Sequence, residues 1–217
     1  MSGVVHDAVV LAGGRGSRLG GIDKPALRLG DRTLVERALD AVPGAQAIAL
    51  VTHSPFPVDD ARVIVVGEEP RWAGPVAAIA AGLDALDADA APVTVVLAAD
   101  LVDPAPGVAR LLAAIADPLR PGAPVDGVIA VDPGGSRQPL LAVYRTRPLR
   151  KALAAVSAEP GALPGSRGES VRSVLERLRV EEVPLDWSAC ADIDTPADAA
   201  RHGILLPGSE AAHDRVA

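Results

Sequence analysis

The chain contains few aromatic residues, and their scarcity limits what it can bind. Only 2% of its 217 residues are aromatic, namely Trp72, Trp187, Tyr144 and Phe56. Proteins that recognise single-stranded nucleic acids stack the bases on aromatic side chains, which this chain largely lacks. The net charge of −7 also disfavours contact with a phosphate backbone, which requires an excess of Lys and Arg. We therefore expect no nucleic-acid partner.

Paired cysteines, clustered histidines and long apolar runs are missing as well. The single cysteine, Cys190, excludes an internal disulfide and a cysteine-based metal site. The histidines lie far apart and show no ligand spacing. No apolar run approaches the roughly 20 residues that cross a bilayer, and the N-terminal residues lack the basic start and apolar stretch of a signal peptide. We expect no membrane partner and a cytoplasmic location.

What the chain does have is a large aliphatic fraction in alternating segments. Hydrophobic residues make up 49% of the sequence, enough for a sizeable core. Short runs rich in β-branched residues predict strands at 8–11, 47–52, 62–66, 93–98, 127–131, 140–144 and 180–185. Ala/Leu-rich segments predict helices at 33–42, 75–86, 107–116, 148–156 and 169–178. This alternation predicts an α/β fold with a doubly wound, mostly parallel sheet and helices on both faces.

The segments show no repeat and no linker that would divide the chain. We predict one domain over residues 1–206, whose second half is less regular than its first. Residues 159–168 are rich in Pro and Gly and predict a loop, and residues 207–217 predict a tail. In such a sheet, ligands bind beyond the carboxyl ends of the strands.

A glycine-rich loop follows the first predicted strand. Glycines in residues 13–21 allow backbone N–H groups to approach phosphate oxygens closely. Arg15, Arg18 and Lys24 add positive charge over the same segment, which suits a triphosphate. Two known phosphate motifs do not fit. A Walker-A motif requires Ser or Thr after its lysine, where this chain has Pro25, and the dinucleotide fingerprint requires glycine where this chain has Leu19.

Motifs along the chain resemble those of a known enzyme family. In chain order they are Leu11-Ala12-Gly13-Gly14, Ser17-Arg18-Leu19-Gly20, Asp23-Lys24-Pro25-Ala26-Leu27, Gly74-Pro75, Asp100 after a buried strand, Gln138 to Tyr144, Ser170-Val171-Arg172 with Leu175, and Asp192-Ile193-Asp194-Thr195-Pro196. Over roughly residues 5 to 202 the chain resembles nucleotidyltransferases of the molybdenum cofactor guanylyltransferase (MobA-type) family. The resemblance implies a Rossmann-like nucleotide-diphospho-sugar transferase fold. It also implies transfer of GMP from GTP to molybdopterin with Mg²⁺ and release of pyrophosphate.

The resemblance also implies a nucleotide-binding half at about residues 1–125 and an acceptor half at 126–206. It further implies which residues form the site. The expected nucleotide contacts are Leu11, Ala12, Gly13, Gly14, Lys24, His53, Glu69 (or its neighbour Glu68) and Asp100. Asp100 is the implied Mg²⁺ ligand, and Arg15, Arg18 and Lys24 are expected to neutralise phosphate charge during catalysis. Arg137, Arg167 and Arg172 are candidates to meet an anionic acceptor.

Asp192 and Asp194 allow two interpretations. The two residues are two positions apart, so that in an extended segment their side chains lie on the same face. In the first interpretation, Asp194 completes the metal site with Asp100. Alternatively, Asp194-Thr195-Pro196 only caps a short helix.

The base and the acceptor stay open. Within the resembled superfamily, Gly14 favours guanine, whereas the Asp192/Asp194 pair favours cytosine. His53 stands where an asparagine is usual, and Val102 where a proline is usual. With so few aromatic residues, we expect backbone groups near Leu11–Gly14 and polar side chains to read the base.

Other functions also fit parts of the sequence. The alternatives are a molybdopterin cytidylyltransferase, another nucleotidyltransferase acting on a small phosphorylated acceptor, a sugar-nucleotide glycosyltransferase with Asp192-x-Asp194 as its D-x-D pair, and a non-catalytic nucleotide-binding module.

Overall fold

The computed structural model describes residues 4–13, 19, 22, 24–86, 90–116, 124–158 and 170–206. Its strands are β1 (His6–Leu11), β2 (Arg28–Leu29), β3 (Arg32–Thr33), β4 (Ile48–Val51), β5 (Val63–Val66), β6 (Val93–Ala98), β7 (Gly127–Val131), β8 (Arg137–Arg145) and β9 (Val180–Pro184). Its helices are α1 (Leu34–Asp40), α2 (Pro75–Ala85), α3 (Ala105–Ala116), α4 (Thr146–Ser157), α5 (Val171–Leu175), α6 (Trp187–Cys190) and α7 (Pro196–Arg201), with a short 3-10 turn at Lys24–Ala26. The predicted loop at 159–168 and tail at 207–217 lie outside the described residues.

Seven of the described strands form one sheet in the order β5-β4-β1-β6-β8-β7-β9. All neighbours pair in parallel except β8, which is antiparallel to both β6 and β7. The reversal follows from the short β7–β8 connection, which is a turn and cannot form a crossover. Asp132 closes this turn by accepting hydrogen bonds from the backbone of Gly134 and Ser136. The mostly parallel, doubly wound sheet confirms the predicted fold.

Helices cover both faces of the sheet, as the apolar strands require. Alternate residues of β1 point to opposite sides, so that Val10 packs with α1 and α3 while Val9 packs with α2 and α4. Val9 and Val10 are both fully buried. The two aliphatic layers account for most of the buried surface of the described chain, and at about 25 cal/mol per Å² that surface is the main source of folding free energy.

A third, smaller apolar cluster lies away from these two layers. We call it the edge cluster, and its buried members are Leu19, Leu27, Leu34, Val102, Ile193, Ala199 and Ile204. The cluster joins the turn after residue 24, the start of α1, the segment after β6 and the segment before α7. Segments that are far apart in sequence are thereby held together by apolar contacts.

The β2–β3 hairpin and helix α6 were not predicted from the sequence, whereas a short helix after Asp194-Thr195-Pro196 was one of two interpretations of that segment. The β2–β3 hairpin turns through Gly30, whose φ of +69° suits a residue without a Cβ. Helix α7 begins at a capping box in which Thr195 and Asp198 bond each other's backbone N–H groups. Thr195 is thus the N-cap residue of this helix, and Asp194 precedes it. Among the described helices, none is long and apolar enough to cross a membrane.

Gly82 provides a test of how tightly α2 packs on β1. A Cβ at this position would lie 2.5 Å from Val9 Cγ1 and 3.0 Å from Val51 Cγ2. Alanine normally stabilises a helix relative to glycine, but these valines are stiff and cannot move aside. We expect Gly82→Ala to lower the free energy of unfolding in urea by about 1–3 kcal/mol.

The matched control is Gly107→Ala in α3, where the nearest atom, at 3.1 Å, is the flexible end of Leu185. This change should alter stability by less than about 1 kcal/mol. An equal loss for both variants would contradict the packing argument.

Candidate active site

A cavity of about 410 Å³ opens at the carboxyl ends of β1 and β6. Among the described residues its walls are formed by Leu11, Gly13, Lys24, Pro25, Glu68, Trp72, Gly74, Pro75, Ala78, Ala98, Asp100 and Leu140. In the sheet, β4 pairs with one edge of β1 and β6 pairs with the other edge. The cavity therefore lies at a point where the strand order reverses, which is where open α/β sheets bind ligands.

Lys24 forms the centre of the charged wall. Its ammonium donates hydrogen bonds to Asp194 and, at 3.5 Å, to Oδ2 of Asp100. The 3-10 turn that carries Lys24 is closed by a bond from Leu27 N–H to the Lys24 carbonyl. Leu27 in turn is anchored in the edge cluster. The lysine is thus held by its own turn and not only by its carboxylate partners.

Backbone pairing brings the carboxylates together. Val102 N–H donates to the Ala191 carbonyl at 2.8 Å, and Ile193 N–H donates to the Asp100 carbonyl at 3.1 Å. In the extended segment after α6, Ile193 is fully buried in the edge cluster, so that Asp192 and Asp194 face the opposite way.

Three carboxylates meet as a result. One oxygen from each of Asp100, Asp192 and Asp194 lies within 4.8 Å of the others. Carboxylate oxygens at this spacing are the hard ligands that Mg²⁺ accepts. With Lys24 the group retains two unbalanced negative charges when all carboxylates are ionised. These residues therefore fit a divalent cation.

The electrostatics of the group are set by burial and by mutual contact. Burial by itself lowers the pKa of the Lys24 ammonium, but its bonds and attraction to Asp194 and Asp100 outweigh burial, so that the pKa lies above the usual value. Burial raises the pKa of the Asp100 carboxyl, and the charge of Lys24 offsets only part of the rise. The ammonium form of Lys24 is thus favoured, whereas ionisation of Asp100 is disfavoured by its burial.

Arg37 of α1 supports the segment that carries Asp100. Its Nε donates to the Val102 carbonyl at 2.7 Å, and its Nη2 lies 3.4 Å from Oδ1 of Asp103. Helix α1 is itself fixed by a capping box between Thr33 and Glu36. Sequence reasoning missed Arg37, because an arginine on a helix gives no signal of a partner 65 residues away.

Glu68, which lines the cavity, lies close to the side chain of His53. Nε2 of His53 lies 3.0 Å from Oε2 of Glu68, and the two side chains are 11% and 6% exposed. The two atoms do not form a hydrogen bond in this geometry, so the contact is a short polar contact only. Oε1 of Glu68 accepts a hydrogen bond from the Trp72 backbone N–H at 3.1 Å.

The cavity brings together some of the predicted site residues. Leu11, Gly13, Lys24 and Asp100 line it, and Asp194 contacts Lys24. Ala12 is buried within the first aliphatic layer. His53 contacts Glu68 but is not among the described lining residues. Glu69 is exposed and is not among the described lining residues, whereas Glu68 is. Gly14, Arg15 and Arg18 lie outside the described residues.

The acceptor candidates lie elsewhere. Arg137 and Arg172 line a second cavity of about 540 Å³ with Pro139, Leu175 and Glu176. Arg137 pairs with Glu182, and Arg172 pairs with Glu176. Pro139 is the neighbour of Leu140, which lines the first cavity. Arg167 lies outside the described residues.

Replacing Lys24 tests its role as counter-ion. Lys24→Met keeps the length of the side chain but leaves the carboxylates facing one another. We expect a loss of about 1–3 kcal/mol in the free energy of unfolding near pH 8, in a buffer free of divalent cations.

The loss should shrink on acidification. Without the lysine, the pKa of Asp100 in the folded protein rises further above its unfolded value. The folded state then binds protons more readily than the unfolded state, so that the stability of the variant rises as the pH falls. Urea unfolding at about pH 8 and pH 5 measures this change. Arg32→Met, which breaks the exposed pair with Asp40, serves as a control with little effect. A loss that is equal at both pH values would show that Lys24 acts through packing instead of charge.

Comparison with known proteins relates this site to a family. The family model described as a MobA-like NTP transferase domain matches residues 8–183. A molybdenum cofactor guanylyltransferase from Acidiphilium cryptum (strain JF-5) is 37% identical over 79 residues, which is 35% of this chain and 40% of that protein. The match therefore spans less than half the length of this curated relative.

Solved structures share the fold over nearly the whole chain. Rv0371c from Mycobacterium tuberculosis H37Rv superposes with a TM-score of 0.62 at 21% identity, over 93% of this chain and 98% of that one. The 2-C-methyl-D-erythritol 4-phosphate cytidylyltransferase from Thermus thermophilus superposes with a TM-score of 0.64 at 18% identity, over 92% of this chain and 97% of that one. At these identities the likeness concerns the fold alone. The family match covers most of the chain, and its residues include the lysine and the first aspartate of the cavity: the protein belongs to the MobA-like NTP transferase family.

Proposed function

We propose that this nucleotidyltransferase moves GMP from GTP to molybdopterin and releases pyrophosphate. The observation that carries the proposal is the meeting of Lys24 with Asp100, Asp192 and Asp194 beside a cavity at the carboxyl edge of the sheet. A cation and a carboxylate group suited to Mg²⁺ are what a nucleoside triphosphate needs at its phosphate end. The similarity to the Acidiphilium guanylyltransferase supports the choice of acceptor.

The reaction is an in-line displacement at phosphorus. An oxygen of the acceptor's phosphate attacks the α-phosphorus of GTP, and the bond to the pyrophosphate oxygen breaks. A phosphate monoester is already ionised near pH 7, so that no strong base is required. The work of the protein is to hold the two phosphates together and to neutralise their charge.

Each part of the site has a distinct task in this proposal. Lys24 offers its ammonium to the phosphate oxygens, and Arg15 and Arg18 add charge from the glycine-rich loop. Asp100 and Asp194, with Asp192 beside them, would hold Mg²⁺, which stabilises charge on the leaving pyrophosphate. Leu11 to Gly14 lie at the nucleotide, and His53 and Glu69 keep their proposed place near it. Residues 126–206 supply the acceptor half, with Arg137 and Arg172 as its cationic candidates.

A pyrophosphate-release assay tests the chemistry. With GTP, Mg²⁺ and molybdopterin, Asp100→Asn and Lys24→Met should each slow turnover by about 10²-fold or more, because each removes a charge that acts on the phosphates. Arg32→Met should keep the full rate. Near-normal turnover in either site variant would refute the assignment of these residues. Absence of pyrophosphate release in the wild type with every nucleotide would favour the non-catalytic alternative.

Nucleotide selectivity is the second test. The Leu11-Ala12-Gly13-Gly14 segment favours guanine, whereas the paired aspartates favour cytosine. Calorimetric titration with Mg²⁺ should give a dissociation constant at least about tenfold lower for GTP than for CTP, which corresponds to about 1.4 kcal/mol. Tighter binding of CTP would instead support a cytidylyltransferase.

A further inference from the structure

Trp72 is an aromatic residue at the candidate active site. It lines the cavity, and 40% of its surface remains exposed. Ligand cavities are lined mostly by apolar and aromatic side chains together with a few polar groups. The described lining of the cavity combines apolar residues such as Leu11 and Ala78 with the charged groups Lys24, Glu68 and Asp100. Trp72 therefore presents an aromatic surface to a cavity that also contains charged groups.

The backbone of Trp72 is strained, which makes its position informative. Its φ is +65°, in the left-handed region where glycine is favoured. For a bulky side chain this conformation costs free energy, and it persists only where the surroundings enforce it. Such strain tends to occur at ligand sites.

Buried side chains hold the tryptophan in place. Glu68, which is only 4% exposed, accepts the Trp72 N–H through Oε1. The His53 ring meets the indole edge-on, with 5.6 Å between centroids and 61° between planes. Gly67 permits this arrangement, because a Cβ there would lie 2.6 Å from the His53 ring. The guanidinium of Arg71 lies 5.5 Å from the indole centroid.

We propose that the indole of Trp72 stacks against the nucleobase of the bound nucleotide, and that His53 and Glu68 act as positioning residues for it. This inference rests on the proposed function, since it takes the cavity to hold a nucleoside triphosphate. It departs from the expectation that backbone and polar groups alone read the base. A stacked indole accepts every base, because each has a π-face. Trp72 thus supplies affinity, and selectivity is left to the groups at the edge of the base.

The test uses the fluorescence of the protein itself. The chain has two tryptophans, and Trp187 is 61% exposed and absent from the described lining of the cavity. Trp187→Phe makes Trp72 the only tryptophan while leaving the site intact. Mg²⁺ with GTP should quench its emission, because stacked rings exchange charge in the excited state. Mg²⁺ with tripolyphosphate, which has no base, should bind without quenching.

Variants measure the contribution of the ring. Trp72→Ala should weaken binding of Mg²⁺ and GTP about tenfold or more in calorimetry, the range found when a stacking residue is removed. Binding of tripolyphosphate should be unchanged, and Trp72→Phe should restore most of the affinity for GTP. Glu68→Gln should weaken GTP binding less than Trp72→Ala, because it keeps the indole and weakens only the hydrogen bond that holds the Trp72 backbone.

The outcomes separate this inference from the proposed function. Full GTP affinity in Trp72→Ala, or equal quenching by tripolyphosphate, would overturn the stacking while leaving nucleotide transfer intact. Quenching by a free pterin but not by GTP would also overturn it, since the ring would then contact the acceptor. Absence of binding by any nucleoside triphosphate to the wild type would refute the proposed function itself.

Discussion

Mutual repulsion among three carboxylates is the constraint around which the carboxyl edge of the sheet is built. Asp100, Asp192 and Asp194 approach within 4.8 Å of one another, and like charges at such distances oppose folding. Lys24 offsets part of this repulsion, and burial still raises the pKa of Asp100. A protein that only needed stability would replace the group with apolar residues. The proposed binding of a divalent cation would use the unbalanced negative charge of this group.

The fold supplies the rigidity that this arrangement demands. The charged residues come from segments around positions 24, 100 and 193, which local structure alone cannot bring together. Two backbone hydrogen bonds join the second and third segments, and the edge cluster fills the space beneath all of them. Arg37 adds a tie from α1 to the loop after β6. The repulsion is therefore resisted by apolar packing and backbone pairing on the side facing away from the cavity.

Periodicity and composition predicted the main elements because those signals are local. Most strands of the central sheet contain several β-branched residues, and the long helices follow Ala/Leu-rich segments. The edge cluster and the Arg37 contact were not predictable, since they depend on partners distant in sequence. The direction of β8 was not predicted, although the short connection after β7 dictates it. At the site, motif resemblance named Lys24, Asp100 and Asp194. It could not distinguish Glu68, whose side chain lines the cavity, from Glu69, whose side chain is exposed. Which of the two faces the cavity depends on the backbone between residues 67 and 74.

Trp72 shows how far a compositional argument reaches. A shortage of aromatic residues excludes a surface on which successive bases stack, because such a surface needs several rings in register. It says nothing about one ring, since a single mononucleotide offers only one base. What decides is the position of that ring, and here a left-handed φ, a buried carboxylate and a histidine edge set it at the cavity wall. Because the chain has few aromatic side chains, it is informative that one of them, Trp72, is held by these contacts in an unfavourable backbone conformation.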